Sequence, residues 1–161
     1  MGLDAAVYCD CFEIGRLKEL PPDLALVYVR ANGSLDCRSK NAEVLSAFDA
    51  WLQKRACEHE EGVLVSHWIG NATHVGLLRG ELEKDAKKFS VLLEKVLYSG
   101  THTGDYLSGK EIFELQNELK VLAKFAARDK DTQSFIDEFR MQIVELADAA
   151  LSVKKPIYAN Q

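Results

Sequence analysis

Apolar and polar residues alternate through Leu3, Ala5 and Val7, and the alternation runs on to Cys9 and Cys11. A period of two sets these side chains on one face, so the segment from Leu3 to Phe12 reads as a strand whose two cysteines line a core. Pro21-Pro22-Asp23 interrupts before the β-rich run from Leu24 to Arg30. Ala31-Asn32-Gly33-Ser34 supplies the positive φ angles of a tight turn, which predicts a hairpin pairing Leu26–Arg30 with Leu35–Arg38.

At Asn41 the period changes. Val44, Leu45, Phe48, Trp51, Leu52 and Ala56 recur at helical spacing behind an Asn41 cap, with Glu43 near the positive end. The pattern continues through Cys57-Glu58-His59-Glu60-Glu61, which predicts a helix stopping at Gly62 with His59 beside the buried stripe. Val63 to Ile69 reads as a central strand, with Ser66 and Trp68 on one face and Val65 and His67 on the other. Helical spacing returns from Thr73 to Tyr98, with a phase shift at Phe89-Ser90. Ser108 and Glu111 have the spacing of a capping box, opening a helix that carries Ile112, Leu115, Leu119 and Leu122. A last helix runs from Thr132 to Ser152. Pro156-Ile157-Tyr158 is too apolar for a free tail and is expected to form an edge strand or pack beneath the sheet.

Strands thus come first and helices later, without repeating βαβ units. This order predicts an α+β fold, a small antiparallel sheet from the N-terminal half packed against a C-terminal helical bundle, in a single domain over residues 1–161. A balance of 20 basic against 25 acidic residues gives a net charge of −5 and offers no broad basic surface, so no nucleic-acid partner is expected. No apolar run approaches the ~20 residues that span a bilayer, and the N-terminus lacks the order of a signal peptide. A soluble cytoplasmic protein with no membrane partner is the expectation, its four cysteines reduced.

The chemistry-bearing residues are few. Cys9, Cys11, Cys57, His59 and His67 are of zinc-ligand type, yet neither zinc-finger spacing nor a His-Glu-x-x-His pair is present, so no metal and no cofactor is expected. Cys57 and His59, two apart on one helix, would point about 200° apart and could not couple. No nucleophile elbow, phosphate loop or dinucleotide fingerprint occurs, and no catalytic residue is assigned. The segment Ser99-Gly100-Thr101-His102-Thr103-Gly104-Asp105 sets small polar residues and two ionisable groups between helical segments. His59, His67, Thr101, His102 and Asp105 are therefore the candidates for contact with a ligand or partner.

Gly2-Leu3-Asp4 leading into Val7-Tyr8, Cys57-Glu58-His59-Glu60, and Ser99 to Asp105 together resemble a group of small, uncharacterised bacterial proteins, over most of the chain. The resemblance implies a binding role, that of an immunity protein that neutralises a cognate bacterial toxin. The acidic charge suits a basic partner. The competing expectation is a small hydrolase or metal-dependent enzyme using His59, His67, His102 and Asp105 around one cleft. A homodimer through the C-terminal helices is also compatible with the pattern.

Overall fold

The computed structural model describes residues 2–98 and 105–160. In chain order the elements are β1 (Gly2–Tyr8), β2 (Val27–Val29), β3 (Leu35–Cys37), α1 (Ala42–Lys54), β4 (Val63–Asn71), α2 (Ala72–Leu82), β5 (Asp105–Leu107), α3 (Gly109–Leu122), α4 (Lys130–Val153) and β6 (Ile157–Asn160). This is an α+β fold, in which a four-stranded antiparallel sheet packs with the C-terminal helices.

Leu3, Ala5 and Val7 point into the core, as their alternation requires, while the residues between them stay partly exposed. Opposite them α4 buries Ile136, Phe139, Ile143, Leu146, Ala147 and Ala150, spaced to form one stripe. Each such large side chain contributes about 1.5–3 kcal/mol on leaving water. The polar termini are closed locally: Asn41, Asn71 and Asp129 side chains accept from the first-turn amides of Glu43, His74 and Thr132. The capping box at Ser108 and Glu111 is formed as predicted.

The strand order is β4-β1-β6-β5, and here the structure departs from the pattern of the sequence. β4 carries the predicted faces but lies at an edge instead of the centre. The terminal segment, expected at an edge or beneath the sheet, is an inner strand: Ile157 and Ala159 are buried, and β6 pairs with β1 on one side and β5 on the other. Long-range burial, which local alternation does not encode, sets this order.

A second, smaller core lies between the β2–β3 hairpin and α1, where Cys37, Phe48, Trp51 and Ala56 are buried. Lys155 ties it to the main body, its buried ammonium meeting the Glu13 carboxylate and donating to the Gly33 carbonyl at 3.2 Å. The chain between α2 and β5 breaks at the predicted phase shift. There the buried Glu118 carboxylate accepts from the Ser90 hydroxyl and the Val91 and Leu92 amides, at the start of a π-helical turn over Leu92–Val96. Among the described residues no helix is long and apolar enough to cross a membrane.

Candidate metal centre

Two chain segments meet where the small core joins the sheet. The first leaves β1, which ends at Tyr8, just past a register irregularity at Val7/Tyr8 in its pairing with β4. Cys9 and Cys11 therefore lie beyond the strand, contrary to the alternation. The chain curls at once, the Ile14 amide donating to the Asp10 carbonyl and the Arg16 amide to the Cys11 carbonyl. The second segment leaves α1, which ends at Lys54 and not at Gly62. The Arg55 and Ala56 amides both donate to the Trp51 carbonyl, Ala56 is buried, and its carbonyl accepts from the Lys18 amide. A tertiary partner thus takes the group that would have continued the helix.

Cys57 and His59 consequently sit in irregular chain, so the helical angle that would separate them does not apply. A tight turn follows, with Glu61 and Gly62 both at positive φ, 53° and 71°. Glycine adopts this conformation without penalty, and the Gly62 carbonyl then accepts from the Cys9 amide at 2.8 Å. That bond clamps the two segments together directly at the cysteines.

The result is a cluster of Cys9, Cys11, Cys57 and His59, whose four ligand atoms all lie within 4.8 Å of one another. Cys9 Sγ is 3.8 Å from Cys57 Sγ, and His59 Nδ1 is 3.5 Å from Cys11 Sγ and 3.8 Å from Cys57 Sγ. With Zn–S about 2.3 Å and Zn–N about 2.05 Å, a regular tetrahedron has S···S edges of about 3.8 Å and S···N edges of about 3.6 Å. These three separations match such edges, and the remaining three are within 4.8 Å. They are long for hydrogen bonds, and a thiol is a weak donor in any case.

Cys11 and Cys57 are buried and Cys9 is half-buried. Burial, opposed by a hydrogen bond from the Cys11 backbone and reinforced by the neighbouring sulfurs, pushes the Cys9 thiol up to about 12. Burial also raises Cys11. The void beside them measures only about 10 Å³, room for no substrate. The set of four is that of a closed structural centre rather than of a catalytic site with an open position.

The other candidates occupy separate places. His67 pairs through Nε2 with Glu145 of α4 at 2.8 Å. Asp105 begins β5, at the opposite edge of the sheet from β4, which carries His67. Three strand spacings, about 14 Å, separate those edges. His67 and Asp105 therefore stand apart, His59 belongs to the cysteine cluster, and Thr101 and His102 lie outside the described residues. His74 stands in the first turn of α2, its ring against Phe135 at 5.1 Å.

Legible in the sequence but not decisive was a pair of equal spacings, Cys-x-Cys and Cys-x-His, with turn chemistry after each. The second pair was masked by the helical pattern running through it. No protein-family description, curated protein or solved structure matches the chain.

Proposed function

We propose that this chain is a zinc-binding protein in which Cys9, Cys11, Cys57 and His59 hold one ion in a closed site, and that it works as a binding protein. The tetrahedral edge lengths within that cluster carry the metal reading. Three thiolates and an imidazole are a set that selects zinc over the harder cations. The ion would join the end of β1 to the segment after α1, and so fasten the small core to the sheet. This differs from the expectation of no metal, which rested on the missing zinc-finger and His-Glu-x-x-His spacings.

Protein purified without chelator is expected to carry one zinc per chain by elemental analysis. Replacing zinc with cobalt gives the visible bands of a tetrahedral thiolate-rich site. Metal-free protein from zinc-replete cells, or cobalt spectra of octahedral type, would overturn the assignment.

For the partner, the net charge of −5 and the resemblance to small bacterial proteins support a cytoplasmic immunity protein that occludes a basic toxin. Co-expression with a toxin encoded beside it is expected to restore growth of the host cell. Unrelieved toxicity counts against this role and leaves the metal centre untouched. The separation of His67 from Asp105 removes the support for a hydrolase cleft.

A further inference from the structure

The four ligands differ in their access to solvent and in the freedom of their backbone. Cys9 is half-buried as a residue, whereas Cys11 and Cys57 are buried. Cys57 Sγ stands 3.8 Å from Cys9 Sγ, and Cys11 Sγ lies within 4.8 Å of the same sulfur. A disulfide needs the sulfurs at about 2.05 Å, so they must close by roughly 1.8 Å. Cys57 lies in the irregular stretch between Lys54 and the turn at Glu60–Gly62, where side-chain rotation and small backbone shifts supply that movement. A Cys9–Cys11 bridge would instead close a ring over one residue, with strain at both ends.

We infer that the centre is a peroxide-reactive site in which Cys9 and Cys57 form a disulfide and the zinc is expelled. This rests on the zinc assignment above, because the metal is what holds the sulfurs as thiolates. The Cys9 thiolate attacks one oxygen of a hydroperoxide, of which hydrogen peroxide is the simplest; an S–O bond forms, the O–O bond breaks and hydroxide leaves. The Cys57 thiolate then attacks the Cys9 sulfur, the S–S bond forms, and the S–O bond breaks with loss of a second hydroxide. Two thiolates have given up two electrons, the peroxide has taken them, and solvent protons convert both hydroxides to water. The ion keeps only Cys11 and His59 and dissociates. The new covalent link spans the same two segments that the ion joined, so the junction persists while Cys11 and His59 are released.

The test uses the full chain, zinc-loaded under reducing conditions and then treated with hydrogen peroxide. Zinc release is followed with a chromogenic chelator, and the cysteine linkages are mapped by mass spectrometry of a non-reduced digest. Release of one zinc per chain in step with a Cys9–Cys57 peptide, reversed by dithiothreitol and zinc, is the expected result. In the Cys37→Ala variant both events should persist, since Cys37 is outside the cluster. Zinc retained under excess peroxide, or a Cys9–Cys11 or Cys11–Cys57 link in place of Cys9–Cys57, overturns the inference while the zinc assignment stands. A chain that never takes up zinc yet still forms Cys9–Cys57 overturns the zinc assignment and expulsion, and upholds only the disulfide pair. Neither zinc nor the link overturns both.

Discussion

Two buried side chains have opposite jobs at the level of single residues. Cys57 belongs to the metal cluster, whereas Cys37, also buried, packs beneath Phe48 and Trp51. Cys57→Ser is accordingly expected to abolish stoichiometric zinc by elemental analysis, and Cys37→Ala to keep it. Equal zinc in both variants would sink the assignment. Glu118 is different again: a buried carboxylate serving one hydroxyl and two amides. Glu118→Ala strands buried donors at the start of the π-helical turn and should cost about 3 kcal/mol in urea unfolding, with Glu118→Gln recovering part of it. Neither role could be read from position alone. Glu118 falls within the amphipathic repeat of α3 as an ordinary polar residue, and the donors it serves are 26–28 residues away.

For the elements, local chemistry is nearly sufficient. Asn41, Asn71, Ser108 and Asp129 all start helices where turn-type side chains precede apolar periodicity, because a cap needs only an oxygen within a turn of the orphan amides. These caps also carry a pH dependence. The Ser108 amide holds the Glu111 carboxyl below its usual range, and the Thr132 amide does the same for Asp129. A lowered native pKa contributes stability above the unfolded value, and that contribution is lost as pH falls through the native one. The double variant Glu111→Gln, Asp129→Asn keeps the hydrogen-bonding shape without the charge. Its Tm should therefore fall less than that of the unmodified chain between about pH 5 and pH 3. Identical slopes would show that the caps do not titrate with folding. Element ends were read less well than starts: β1 and α1 both stop short of their patterns, at Tyr8 and Lys54, where the clamp between the two cysteine segments takes over their backbone groups.

The whole molecule is two cores of unequal size joined by a narrow set of contacts. The larger is built from the sheet, α2, α3 and α4; the smaller depends on the hairpin, α1, the Lys155–Glu13 pair and the cysteine cluster. Removing zinc should therefore loosen one end and spare the other. Hydrogen exchange in the presence of a strong chelator is expected to accelerate first at residues 9–20 and 55–62, while α4 and β1 keep their protection. Uniform acceleration through α4 would mean that the ion stabilises the entire fold rather than its smaller part.

The α+β class, the buried faces of β1 and α4 and the helix starts follow from the chain's own pattern, because periodicity and capping are settled among residues a few positions apart. Long-range packing puts the last strand inside the sheet, His67 and Asp105 at opposite edges, and Cys9 against Cys57 across 48 positions. Those outcomes depend on which distant surfaces share a core and which backbone groups claim each other. A helical pattern carried Cys57 and His59 apart on paper; one buried alanine carbonyl, taken by Lys18, brought them together.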